Sequence, residues 1–229
     1  MNQLFDQENK FWSFFGKLAD VTCMSLLWML TSLPIVTIGA STTVFYQFTL
    51  RQVNDTEGTV WASYWKYFRK HFKKATILWL IQLAGMAFFA VDLWAVWHFF
   101  LSTGGSFLGI FSLAMIVCLC FLFFGCTYYV YPTLAIFDFP LKKLLANSFI
   151  MAVGNLPTTI TLTLLALLGF YLFYQFSGLY FLIVGLYIFI SSFFIFGVFR
   201  KYTGEQAEAD ALYKQQKREA KIRKKMSRM

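Results

Sequence analysis

The chain has 229 residues, of which 59% are hydrophobic, 21% aromatic and only 14% charged, against about 25% charged in an average soluble protein. Together with a mean hydropathy of +0.60, this composition excludes a water-soluble globular domain. The formal net charge of +9 would suggest nucleic acid in a soluble protein. Here the basic residues gather at 66–74 and after Phe199, beside apolar runs, which points to anionic lipid headgroups and away from nucleic acid.

Residues 1–17 set Phe5, Phe11, Trp12, Phe14 and Phe15 among polar residues, a pattern that predicts a short interfacial helix. The N-terminus lacks the basic start and short apolar run of a secretory leader, so the first span is expected to direct insertion. Residues 18–33 are apolar apart from Asp20 and a few hydroxyls, and Lys17 is placed at i, i+3 to pair with Asp20. Pro34 and Gly39 then break regular helix. Residues 35–50 would make about 24 Å of helix, which is short for a crossing. They are expected either to complete a hairpin or to re-enter the membrane packed inside protein.

After a polar loop at 52–59, the stretch 61–100 combines a basic aromatic helix with a long apolar run. Trp61, Trp65, Phe68, Phe72 and Ala75 recur at helical spacing, with Tyr64 beside them, and predict an apolar face. Lys66, Arg69, Lys70, Lys73 and Lys74 project mainly from the other side. A surface-lying helix ending at Lys74 and a span over 75–101 are therefore expected. Residues 102–105 read as an uncharged outer turn, and 107–131 returns to an aromatic belt of Tyr128, Tyr129 and Tyr131. Asp138, Pro140, Lys142 and Lys143 open a second surface helix, with Leu141, Leu144, Leu145, Phe149 and Ala152 as its apolar side. Spans over 157–176 and 179–199 follow, then a basic tail. Basic aromatic helix followed by span thus occurs at 61–101 and, with fewer aromatics, at 140–176, a hint of a parallel repeat.

The expected fold is an all-α polytopic transmembrane bundle: one integral membrane domain over 1–199 and a basic cytoplasmic tail over 200–229. Four spans plus the Pro-broken N-terminal hairpin make about six. Basic segments at 51–74, 138–156 and the tail lie inside, so an even count puts both termini in the cytoplasm. Five spans plus a re-entrant piece, with the N-terminus outside, is the alternative.

Little catalytic chemistry is legible. Cys23, Cys118, Cys120 and Cys126 sit in apolar runs and read as small packing residues. The two histidines, His71 and His98, offer no metal spacing with them. No zinc-protease, nucleophile-elbow or phosphate-loop motif occurs, so neither cofactor nor metal is expected. Asp92 is the deepest ionisable residue. A carboxylate there should pair, protonate or face the bundle interior, and is either a functional group or a helix-to-helix hydrogen bond near the outer interface. Trp61, Trp65, Lys66, Arg69, Lys70, Lys73 and Lys74 read first as a membrane-surface anchor and second as a docking site for a cytoplasmic partner.

The run Leu33-Pro34-Ile35-Val36-Thr37-Ile38-Gly39-Ala40-Ser41-Thr42-Thr43 carries a family resemblance. With Trp65, Phe68, Phe72-Lys73-Lys74-Ala75, Trp79, Phe137, Pro140-Leu141 and Asn155-Leu156-Pro157, it resembles the YesL-like family of bacterial integral membrane proteins, a domain of unknown function. The resemblance extends from about Phe11 to Phe199. It implies a small polytopic protein of the bacterial cell membrane, often encoded beside carbohydrate ABC importers. Through that company it implies a role in sugar uptake, and it supplies no catalytic residues. The broken segment with Pro34, Thr37, Gly39, Thr42 and Thr43 is its most specific part. The expected function is a non-enzymatic accessory protein of a carbohydrate ABC importer, contacting permease or ATPase subunits. The alternative is a small solute transporter or channel with the broken segment and Asp92 lining its path.

Overall fold

The computed structural model describes residues 10–53, 59–102, 106–176, 178 and 180–226, with side chains described between 15 and 204. Seven α-helices and no strands are present among the described residues. They are α1 (Lys10–Thr31), α2 (Ile38–Val53), α3 (Val60–Ser102), α4 (Phe107–Ile136), α5 (Leu141–Gly154), α6 (Leu156–Gln175) and α7 (Tyr180–Met226). A single 3-10 turn, Ile35–Thr37, joins α1 to α2. Four helices are long and apolar enough to cross a membrane: α3, α4, α6 and the Tyr180–Gly204 part of α7.

Three expected boundaries lie inside continuous helices. The surface helix that should have stopped at Lys74 runs on without a break, so α3 is 43 residues long, or about 64 Å. No Pro or Gly falls between Val60 and Ala84, and nothing else in that stretch removes a backbone hydrogen bond. Likewise α7 continues through Arg200, where the composition changes but the backbone does not. α4 passes the expected end at Tyr131 and runs through Pro132 to Ile136, where the Phe137 N–H donates to Thr133 O at 2.8 Å.

Three hairpins and one central helix make the bundle. α1 and α2 are antiparallel. Lys17 Nζ donates to Gln52 O (3.1 Å), Trp28 Nε1 to Thr42 Oγ1 (3.1 Å), and the Thr31 and Ser41 hydroxyls meet at 2.9 Å. α3 and α4 are antiparallel over most of α4: Lys74 reaches Asp138, Gln82 meets Tyr131, and Phe89 packs on Phe123 at 5.0 Å. α6 and α7 form the third pair, and α5 folds back onto the last turns of α4.

α2 sits in the middle, in contact with α1, α3, α4 and α7. Every residue from Gly39 to Leu50 except Thr42 is buried. It is also rich in hydroxyls and amides, which lipid would not tolerate unpaired. Ser41 donates to Thr37 O (3.1 Å), Thr43 to Gly39 O (2.8 Å) and Thr49 to Phe45 O (3.1 Å). Toward α7, Thr49 meets Ser192 at 2.7 Å and Tyr46 meets Ser191 at 3.1 Å. Small hydroxyl residues let these two helices approach closely, as in membrane helix pairs generally. Gly185 allows a similar approach of α7 to α1, because a Cβ there would collide with the Ser25 side chain.

Cys23 and Cys118, expected to pack inside, lie on outward faces instead.

Candidate functional site

The basic aromatic segment is helical, and the residues read as its apolar face divide between protein and the outside. The buried ridge of α3 is Tyr64, Tyr67, His71, Ala75, Leu78 and Gln82, spaced by three or four residues as one side of a helix must be. Trp61, Trp65 and Phe72, assigned to the apolar side, point outward, with Trp61 64% exposed. Lys66, Arg69, Lys70 and Lys73 share that outward surface. The reason is polar pairing inside the protein. The Tyr64 hydroxyl reaches Thr31, and the Arg51 guanidinium stacks over the Tyr67 ring at 4.7 Å. Tyr64 and Tyr67 therefore have partners inward. The outward rings form a ladder through half-buried Phe68, Trp61 on Trp65 at 6.1 Å, Trp65 on Phe68 at 6.0 Å and Phe68 on Phe72 at 5.5 Å. The same division occurs in α5, whose buried residues are Leu144, Ser148, Met151 and Ala152, while Phe149 is exposed.

Lys74 closes this end of the molecule. Its Nζ pairs with Asp138 Oδ1 and donates to Phe139 O at 3.4 Å, tying α3 to the α4–α5 corner. That hydrogen bond and the lysine charge hold the Asp138 carboxyl below its usual range. His71, ahead of the apolar part of α3, is lowered to about 4, first by burial and then by Lys70, with Asp138 opposing. It is therefore neutral at physiological pH and adds nothing to the cationic surface. At the other side of the same end, Asn155 Nδ2 donates to the Tyr202 hydroxyl at 3.1 Å, fastening the α5–α6 corner to α7.

The broken segment is a satisfied turn. Pro34 interrupts the helix in an extended conformation, leaving carbonyls that continuous helix would have paired. Thr37 closes two of them: its hydroxyl donates to Thr31 O and to Pro34 O (2.7 Å), and its N–H donates to Pro34 O at 2.9 Å. Trp79 Nε1 donates to Ile35 O at 2.7 Å. Gly39 lies where α2 meets α3; a Cβ would be 2.7 Å from both Ala75 O and Trp79 Cβ. Thr42 accepts from Trp28, and Thr43 bonds its own helix. Each of the five motif residues thus has a role in making the α1–α2 hairpin or seating it on α3.

Asp92 stays apart from this cluster. It is half-buried on α3, ten residues beyond Gln82, and makes no hydrogen bond or ion pair among the described residues. Farther along, Trp94 and His98 pack at 4.5 Å.

One site had no sequence signal. A cavity of about 410 Å³ lies among α2, α3, α4, α6 and α7, with Thr42, Trp79, Gln82, Tyr131, Phe170 and Tyr187 on its wall. Its lining comes from five helices, so no local spacing could reveal it. The only hint was the number of tyrosines inside apolar spans.

Comparison with known families gives one match. The model described as a protein of unknown function, DUF624, matches residues 21–93, which cover the second half of α1, all of α2 and α3 as far as Leu93. No curated protein and no solved structure matches the chain. In sequence, the segment from Val21 to Leu93, which contains the Pro-broken turn, is similar to that family of unknown function.

Proposed function

We propose that the chain is a non-enzymatic accessory protein of the bacterial cell membrane, of the YesL-like kind, which packs against a carbohydrate ABC importer. Its basic end faces the cytoplasm and docks the permease or the ATPase. The observation that supports this reading is the cationic, Trp-bearing surface of Trp61, Lys66, Arg69, Lys70 and Lys73, all outward, on a helix braced from behind by Tyr64, Tyr67 and Lys74. Charge on an exposed rim of this kind steers association and sets partner choice. Tagged protein should recover importer subunits from mild detergent. The quadruple variant Lys66→Glu, Arg69→Glu, Lys70→Glu and Lys73→Glu should lose at least about tenfold of that recovery, with an unchanged gel-filtration profile. Repeated recovery of the wild-type chain without importer subunits counts against the proposal.

We further propose four crossings, in place of six, with the α1–α2 hairpin entering from the basic side and returning there. The crossing number stays even, and both termini remain cytoplasmic. Support comes from the contacts of α2, which meets α3 at Tyr67 and at Ala75 and Trp79, beside the basic first third of that helix. The turn itself is apolar and outward, with Leu33 73% and Ile35 65% exposed, a poor tip for an aqueous surface. A single cysteine at Leu33, in a chain freed of its native cysteines, should resist impermeant maleimide added outside intact cells. Rapid labelling from outside would mean that the hairpin crosses.

Transport in its own right has less to stand on. Thr42 reaches the cavity wall, but Asp92 does not.

A further inference from the structure

We propose that the cavity among α2, α3, α4, α6 and α7 binds an uncharged lipophilic molecule carrying one acceptor oxygen on a hydrocarbon body, admitted from the bilayer. At about 410 Å³ it falls within the range of small-molecule sites, about 300–1,000 Å³. Its wall carries no charged side chain and consists mostly of aromatic and aliphatic groups. An ion or a charged headgroup would be desolvated there without compensation. Hydroxyls on the wall are already engaged, Tyr46 with Ser191, Thr127 with Phe123 O and Tyr131 with Gln82, which leaves a sugar few partners, so this site is independent of the importer reading.

The polar feature is Gln82. It is only 8% exposed and lies on the cavity wall. Its Oε1 accepts from the Tyr131 hydroxyl, whereas its Nε2 donates to no protein group among the described residues. Two N–H donors in an apolar cavity call for an acceptor, and a carbonyl or ether oxygen on the ligand would supply one. Thr42, held by Trp28 Nε1 at 3.1 Å, places a hydroxyl on the same wall. The way in is beside α6. Phe170 and Phe173 line the cavity yet are 72% and 45% exposed, so the same helix is both wall and lipid-facing surface. α4 meets α6 near Thr159, where Tyr129 and Gly125 touch it. Farther along α6, Ala166 and Gly169 are too small to close the space.

The test uses purified full-length protein in detergent and a long-chain alkyl ketone bearing a diazirine, with a diazirine-bearing phosphatidylglycerol in parallel. The ketone should label residues 166–173 and 183–188 saturably and be chased by unlabelled ketone. Gly169→Trp, which fills the space, should abolish this labelling. Gln82→Leu should weaken it about 5–10-fold, as expected for one hydrogen bond. Phosphatidylglycerol that labels the same residues and chases the ketone would show that the cavity accepts a charged lipid and would overturn the proposal. Labelling confined to outward faces, labelling that does not saturate, or an unchanged affinity in Gln82→Leu would overturn the proposal.

Discussion

Replacing Gly39 by leucine is expected to separate α2 from α3 and to leave no monodisperse protein after extraction. A Cβ at this position would lie 2.7 Å from Ala75 O and 2.7 Å from Trp79 Cβ. Neither obstacle is the movable end of a side chain, so relief requires shifting a whole helix. Overpacking usually costs about 1–3 kcal/mol, and Gly39→Ala should fall at or above the top of that range. Leucine adds three more carbons to a helix whose neighbours touch it on every side, and should exceed it. The contrast is with Gly197, also inside a helix, where no atom lies within 4 Å of a built Cβ. Gly197→Ala should be neutral or stabilise by about 0.5–1 kcal/mol, because alanine loses less backbone entropy in a helix. Melting by intrinsic fluorescence in detergent measures both. Equal melting temperatures for Gly39→Ala and Gly197→Ala would remove the close crossing from the account.

The same comparison shows what the sequence could and could not convey. Spans on α3, α4, α6 and α7 were legible because each carries an apolar run long enough to match the bilayer. The Pro34 break was legible because proline removes a donor wherever it falls. The importance of α2 was not. At 16 residues with hydroxyls and amides throughout, it scores as the weakest membrane helix, yet it is the most buried. Inside a membrane the usual rule inverts: the most apolar surfaces face lipid, and the polar groups must find each other in the interior. That inversion also bears on α3. Trp61, Trp65 and Phe72 were read as the apolar face of a surface-lying helix, and they do face outward; what the spacing did not convey is that Tyr64, Tyr67 and His71 form the side turned toward protein. The cavity at Gln82 and Phe170 depends on how five helices are set against each other, which no periodicity within one helix records.

Thr37 is where the second large effect is expected. Its single hydroxyl reaches Thr31 O, left open by the Pro34 break, and Pro34 O, which also accepts the Thr37 N–H. Thr37→Val keeps the shape and removes only the donor, so Thr31 O loses its closing partner and Pro34 O keeps the Thr37 N–H alone. A polar group left without its hydrogen bond costs about 1–3 kcal/mol where water cannot replace it, which holds for this outward turn if the hairpin tip lies in lipid as proposed above. We expect Thr37→Val to lower the melting temperature by several degrees, about as much as 1–3 kcal/mol predicts for a chain of this size. Thr37→Ser, which restores the hydroxyl, should recover most of the loss. Thr42→Val serves as the comparison. Its hydroxyl accepts one bond from Trp28 Nε1 and plays no part in closing the turn, so its effect should be smaller. If valine and serine at position 37 melt alike, the hydroxyl does not hold the turn, and the Thr37 contacts are a consequence of the hairpin, not one of its causes.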